Sequence, residues 1–504
     1  PMQRHLLYLP FALQIFGLMA ISMIVPSLYA LVTEQFFEAR MFFYTGLLGV
    51  TFLALIGLAR SNQTSRETAL DQMLSLALIF VFLPVFLAIP EYSVIRTTSF
   101  LNAYLDMVSA LTTTGFEVFP AGRLSDALHL WRALVGWMGG ALIWVAAVAI
   151  LAPLNLGGFE LTGQHANARR QANFISTSER KLFLMRSVQT LMPLYIGLTA
   201  VLWLGFILSG ASGYNGFIFA LSVLSTSGIT AYQGVAGLSS GIWAEVLIVL
   251  FFTLALSRVL WAPEKTTGFA KGLLRDVELR LAIWITILLS CVLFIKQVAS
   301  SAAPLAEYGP EGLLALIWGN LFTILSFLST TGWLSQYWEP IAPLSDAGIP
   351  GFLFLGLGLI GGGIATTAGG VKLLRFYILY LNALREVGRL VHPSSVGKTK
   401  SQNQYDLGQG AFAAWIFFML FGFSLAGITL SLAASGLSFE MALALCVSAI
   451  STTGPALMMV IEGPFDMIAL SGLAKAILCL AMILGRLEIL VILALLRPEI
   501  WLRQ

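Results

Sequence analysis

The chain has 504 residues and a net charge of +3, with 58% of its residues hydrophobic and only 11% charged. A soluble chain carries roughly 25% charged residues. The composition therefore excludes a water-soluble globular protein and implies a polytopic membrane protein whose apolar excess faces lipid.

Apolar runs of about 20 residues are expected to span a bilayer. The chain opens with two of them, 6–32 and 41–59. The first lacks a small-residue cleavage site and reads as a retained helix rather than a removable signal. A third span, 70–90, leads to a segment too short to cross, 99–112, and so to Ser109–Pro120, a hydroxyl-rich run into Gly115. Span 126–152 follows. The same order recurs three times: 187–209, short segment 214–226 and 240–262; 279–300, short segment 312–329 and an interrupted 348–380; 410–435, short segment 438–451 and 468–496. The short segments end in Ser225-Thr226-Ser227-Gly228, Ser329-Thr330-Thr331-Gly332 and Ser451-Thr452-Thr453-Gly454. Serine or threonine before glycine is ordinary turn chemistry. Four copies, with Gly115, Gly228, Gly332 and Gly454 spaced 113, 104 and 122 residues apart, form an internal repeat.

The expected fold class is thus an all-α polytopic membrane protein. It has about ten transmembrane helices plus four re-entrant pore helices in a pseudo-fourfold span–pore helix–filter–span repeat. The expected division is an N-terminal two-helix unit 1–66, pore repeats 67–165 and 166–270, a third repeat 271–400 with an intramembrane loop, and a fourth, 401–504.

The charges orient this topology. Arg60, Arg66, Arg169, Arg170, Arg180, Lys181, Arg186, Lys265, Lys271, Arg275, Arg280, Arg385, Arg389, Lys398 and Lys400 fall in loops of one side, together with both termini. The other side holds acids such as Glu91, Asp106, Glu117, Glu311 and Glu440, and few bases, among them Arg132. The positive side is the cytoplasm, so all four short segments enter from outside. Most of the external acids read as solvated loop charges that raise the cation concentration at the mouth; Asp106, within the first short segment, reads alternatively as a stabiliser of the filter.

Non-helical backbone at membrane depth is tolerated only where protein buries it or it lines water. Four re-entrant segments around one axis make a pore whose backbone carbonyls replace an ion's hydration shell. The cysteines Cys291, Cys446 and Cys479 form no close pair and the four histidines are scattered, so no disulfide framework or thiolate metal site is expected. No Ser/His, paired-Asp or zinc constellation for an intramembrane enzyme is evident. No enzymatic activity, bound cofactor or nucleic-acid partner is expected.

The chain resembles the Trk/Ktr/HKT superfamily of potassium transporters, most closely its TrkH-type members. The resemblance is carried by the four hydroxyl–glycine strands and by Trp137-Met138-Gly139-Gly140 followed by Val148 to Pro153. It is also carried by Gly361 to Lys372, which is similar to the family's glycine-rich intramembrane loop, and by Gly485-Arg486-Leu487-Glu488-Ile489 near the end. It implies potassium uptake across the bacterial inner membrane, a homodimer with one pore per protomer, and gating by a cytoplasmic nucleotide-binding ring of the TrkA type. By this resemblance the potassium filter comprises Thr113, Thr114, Gly115, Thr226, Ser227, Gly228, Thr330, Thr331, Gly332, Thr452, Thr453 and Gly454. Glycine in all four strands goes with potassium in this superfamily, and serine in the first with sodium preference. Two features depart from the usual pattern: Trp333 follows the third glycine where Phe is more usual, and the fourth strand has Ser-Thr-Thr where Asn-rich variants are common.

Residues expected to gate are Gly361, Gly362, Gly363, Thr366, Thr367, Gly369, Gly370 and Arg486. Each glycine costs about 1 kcal/mol against alanine in a helix, so 361–370 reads as an unwound loop, or alternatively as a close helix-packing surface. It is no phosphate loop, and Gly397-Lys398-Thr399 fails as one because His392 stands where the first glycine is required. Arg486 reads as a positive barrier below the filter, or as an ion pair with Glu488. Lys475 is expected to reach the external headgroups. The stretches 160–186 and 385–400 read as docking surfaces for a regulatory ring or as charges on lipid headgroups. Other readings of the whole chain are the potassium-binding subunit of a P-type pump and an ion-coupled secondary transporter; the latter predicts repeats of opposite topology.

Overall fold

The computed structural model describes residues 10–59, 69–152, 177–231, 234–238, 240–257, 276–300, 309–338, 350–391, 401–461 and 465–488. The stretches 160–176 and 392–400, the tripeptide Gly397-Lys398-Thr399, both termini and Ile489 lie outside them, as do many of the charges that orient the topology.

The first expected span is two helices, α1 (Phe11–Ser22) and α2 (Ile24–Val32), meeting at Met23. Pro26 is the cause: it has no N–H to donate to the Ser22 carbonyl one turn back. Then follow α3 (Phe36–Ala59), α4 (Ala69–Ile95), the short α5 (Phe100–Leu111) and α6 (Asp126–Ala146), which continues as a π-helical turn, Ala147–Leu151. The second repeat is α7 (Thr177–Leu208), α8 (Gly213–Ser225) and α9 (Gly241–Leu256). The third is α10 (Val277–Ser300), α11 (Gly309–Leu328), and the pair α12 (Pro350–Ile360) and α13 (Leu373–Val391). The fourth is α14 (Ser401–Ala434), α15 (Phe439–Ile450) and α16 (Gly472–Leu487). Serines start several of these: Ser125, Ser212, Ser438 and Ser471 each accept the backbone N–H three residues on, which fixes where α6, α8, α15 and α16 begin.

Eight runs among the described residues are long and apolar enough to cross a membrane. Seven coincide with expected spans. The eighth, Pro310–Leu328, is the third re-entrant segment, and length alone cannot tell it from a span. What separates it is its C-terminal end, which stops beside those of α5, α8 and α15.

Each re-entrant helix packs against the spans before and after it, and against the inner helix of the repeat before it. Thus α6 meets α8, α9 meets α11, α12 meets α15, and α16 returns to meet α5. The contacts close a ring of four repeats in chain order. The inner wall is the most buried part: 89% of the apolar window of Asp126–Leu151 is enclosed, against 22% for Phe36–Ala59, whose Leu48, Leu55 and Leu58 stay exposed for lipid.

Candidate ion-conducting site

The last turns of the four re-entrant helices are built alike. The N–H of Thr113 donates to Ala110, Thr226 to Val223, Thr330 to Phe327 and Thr452 to Ala449, at 2.9 to 3.2 Å. One residue on, Thr114, Ser227, Thr331 and Thr453 donate to the carbonyls of Ser109, Ser222, Ser326 and Ser448. These bonds force the first residue of each pair into left-handed backbone: φ is 56° at Thr113, 51° at Thr226, 62° at Thr330 and 54° at Thr452. A β-branched residue there costs about 1–2 kcal/mol. The same strained conformation recurs at four equivalent, fully buried positions, and backbone strain of this kind clusters at functional sites.

Glycine follows because the strands touch. A Cβ on Gly115, whose φ is +73°, would overlap the Ser227 carbonyl, and one on Gly228 would overlap that of Thr331. One on Gly454 would stand 2.7 Å from the Thr114 carbonyl, and Gly332 abuts the side chains of Thr453 and Pro455. Each glycine therefore lies against the next strand, in the order first, second, third, fourth, first. All twelve residues expected to form the filter are brought together around one axis, lined with neutral hydroxyl and carbonyl oxygens. Among the described residues no group of three or more His, Cys, Asp or Glu could hold a metal ion. The donors are those suited to a weakly held monovalent cation that must also leave.

The fourfold symmetry is imperfect for a chemical reason. Six residues before each glycine stands a serine: Ser109, Ser222, Ser326 and Ser448. In the first and third strands its hydroxyl accepts the N–H after the glycine, from Phe116 at 2.8 Å and Trp333 at 2.7 Å. In the second it bonds the Ser227 hydroxyl at 3.1 Å. In the fourth, Pro455 has no N–H, and the Ser448 hydroxyl is left without a partner among the described residues. Gly454 instead opens a short 3₁₀ turn, Gly454–Met459, and donates its N–H to the Thr114 carbonyl at 2.6 Å.

Beneath the strands lies a non-helical loop between α12 and α13, so the expected interruption is an unwound segment rather than a helix-packing surface. Gly361 (φ 73°) and Gly370 (φ 77°) cross at a distance that leaves no room for a side chain on either. The loop touches three of the four strands. The Gly369 N–H donates to the Thr330 hydroxyl at 2.9 Å, the Thr226 and Thr367 hydroxyls are 3.3 Å apart, and Gly369 lies against Ser451 and Thr452. From the sides, the Thr367 hydroxyl donates to Leu224 at 3.1 Å, and Glu278 accepts the Ile364 N–H at 2.9 Å. Thr366 closes the turn onto Gly363. From below, Arg486 donates through Nη1 to the Thr367 carbonyl at 2.7 Å, while its Nε and Nη2 have no hydrogen-bond partner among the described residues. All eight residues expected to gate meet here.

Three charged groups depart from expectation. Glu488 pairs with Arg375 on α13, at 2.7 Å, and not with Arg486; Arg375 also stacks 3.7 Å over the Phe417 ring. Lys475 does not reach headgroups but bends back to the Ile468 carbonyl at 2.7 Å, because the chain before α16 covers it. Glu91 is not a solvated mouth charge but fully buried, and Asp106, also buried, fits its alternative reading beside the filter rather than the solvated one. Arg132 pairs with Asp106 at 2.7 Å and donates to the Phe116 carbonyl at 2.9 Å, with Glu91 buried beside them. The cluster joins α4, α5 and α6 to the strand just past Gly115. Arg132→Ala strands the buried Asp106 carboxylate, so it should cost about 3–5 kcal/mol and lower the thermal midpoint in detergent well below that of Asp106→Asn, which keeps an acceptor for the guanidinium.

The four equivalent serines were readable from their spacing, and Glu278, Arg132 and Arg375 were not, since their partners lie far away in sequence.

This closed ring of re-entrant helices defines a polytopic, single-chain, pseudo-fourfold transport architecture. The model of the family described as "TrkH: Cation transport protein" matches residues 40–501. The chain belongs to that family, a transport family and not an enzyme family. It is similar to the Trk system potassium uptake protein TrkI of Halomonas elongata, 29% identical over 430 residues that cover 84% of this chain and 81% of that one. It is also similar to the Trk system potassium uptake protein TrkH of Escherichia coli K12, 25% identical over 502 residues, 97% and 98% of the two chains. The crystal structure of the potassium transporter TrkH from Vibrio parahaemolyticus superimposes with a TM-score of 0.77 over 98% of this chain and 99% of that one; at 24% identity the likeness shows the fold.

Proposed function

We propose that this chain carries potassium into a bacterial cell across the inner membrane, through a filter formed by Thr113–Gly115, Thr226–Gly228, Thr330–Gly332 and Thr452–Gly454. The observation that carries the reading is the fourfold recurrence of a strained threonine followed by a glycine pressed on the next strand. Potassium, the ion named for the relatives, is a substrate here and not a resident cofactor. Glycine at all four positions supports potassium over sodium. The loop 361–370 and Arg486 act as the gate, because they lie directly under the strands and bond to them. The repeats divide near residues 66, 165, 270 and 400, both termini face the cytoplasm, and the working assembly is a homodimer gated by a cytoplasmic nucleotide-binding ring.

The test is ⁸⁶Rb⁺ uptake into proteoliposomes with K⁺ or Na⁺ as competitor. K⁺ should compete at least tenfold better than Na⁺. Equal competition by the two ions contradicts the selectivity, and an absence of uptake with the regulatory ring supplied contradicts the transport itself.

A further inference from the structure

The residues that follow the four glycines are Phe116, Ile229, Trp333 and Pro455. Tryptophan alone among them carries a side-chain hydrogen-bond donor. Its indole Nε1 donates to the Gly228 carbonyl at 2.9 Å, so the third strand reaches across and holds the second. We propose that Trp333 is a specificity-determining brace: its N–H fixes the Gly228 carbonyl, and with it the second strand, at a separation from the axis that suits potassium better than the smaller sodium ion. The proposal rests on reading the four strands as a cation filter.

Both ends of the brace are anchored. Trp333 is 3% exposed, its own N–H is bound by the Ser326 hydroxyl, and its ring lies 5.1 Å from that of Phe219 and 6.5 Å from that of Phe252. The chain just beyond is clamped by buried Glu245, whose carboxylate accepts the Ser335 hydroxyl at 2.8 Å, the Gln336 N–H at 2.7 Å and the Trp318 indole at 2.7 Å. On the other side Gly228, at φ +69°, is wedged between the Thr331 carbonyl and Pro455.

A carbonyl engaged by a buried N–H points toward its donor and cannot follow a smaller ion inward without breaking that bond. Breaking it leaves a desolvated donor and is unfavourable. The brace therefore opposes the contraction that sodium would need, and leaves the wider potassium geometry unaffected. A phenylalanine here would supply the ring and not the restraint.

Trp333→Phe keeps the aromatic contacts and the backbone bond to Ser326, and removes only the N–H. In the ⁸⁶Rb⁺ competition assay Na⁺ should compete about five- to tenfold better than in wild type, with uptake in K⁺ within about twofold. Phe219→Leu loosens the same ring packing and keeps the N–H, so its ion preference should equal that of wild type. An unchanged preference in Trp333→Phe overturns the brace, and so does an equal shift in Phe219→Leu, which would assign the effect to packing. If Trp333→Phe is not monodisperse in detergent, Trp333→Leu takes its place with the same expected gain, since it also carries no side-chain donor. Failure of the filter reading shows up separately, as a wild-type protein that does not prefer K⁺.

Discussion

Gly115→Ser is expected to reduce the preference for K⁺ over Na⁺ by about tenfold or more while leaving the protein folded. Gly115 has a φ of +73°, and its missing Cβ points at the Ser227 carbonyl of the neighbouring strand. A serine there meets two penalties. The left-handed backbone costs about 1–2 kcal/mol for any residue with a Cβ. The side chain must also push aside a carbonyl proposed to coordinate the ion, and a tenfold loss corresponds to only about 1.4 kcal/mol. The damage is local, because the strand is held from behind by Ser109 and Arg132, which the substitution does not touch. Gly332→Ser is the internal control. A Cβ at Gly332 meets the Thr453 methyl at 3.1 Å and Pro455 at 3.2 Å instead of a carbonyl, so selectivity should change less. The comparison is read by Na⁺ competition against ⁸⁶Rb⁺ uptake; an unchanged ratio in Gly115→Ser would count against the filter.

Arg486→Ala should raise ion flux about tenfold. Arg486 is 5% exposed, and its guanidinium fastens the loop through one bond, to the Thr367 carbonyl. A hydrogen bond to a charged group contributes about 1.5–3 kcal/mol, so its loss shifts a closed–open equilibrium by roughly tenfold or more. Removal also takes a positive charge from the path below the strands. Stability should survive, because Glu488 is paired with Arg375 and no carboxylate is orphaned. Arg375→Ala differs in just that respect: it strands Glu488 and should destabilise the protein. Uptake by Arg486→Ala at the wild-type rate would discard the barrier.

The repeat was legible in the sequence because each of its parts carries its own signal. Seven spans announce themselves by apolar length, the strands by hydroxyl residues before glycine, and the loop by Gly361–Gly363 with Gly369 and Gly370, five glycines within ten residues. What escaped was pairing between distant residues. Trp333 meets Gly228 across 105 residues and Ile364 meets Glu278 across 86, and no local pattern encodes either contact. Charge was the most misleading feature. Glu91 lies near the expected outer face and reads as a solvated acid, yet it is buried beside the Arg132–Asp106 pair, and of these acids only Asp106 carried the alternative reading of a filter stabiliser. Lys475 misled for the same reason, since its position near the start of α16 does not reveal the chain folded over it. Length failed once, at α11, where 20 residues make a re-entrant helix as long as a short span.

The most direct test of the central claim, that the four strands form one ion site, is anomalous diffraction from crystals grown in Rb⁺. Rubidium peaks should lie on the axis enclosed by Thr114, Ser227, Thr331 and Thr453, and should weaken when Na⁺ replaces Rb⁺. Well-ordered strands with no peak between them, and rubidium bound elsewhere in the membrane domain, would contradict it.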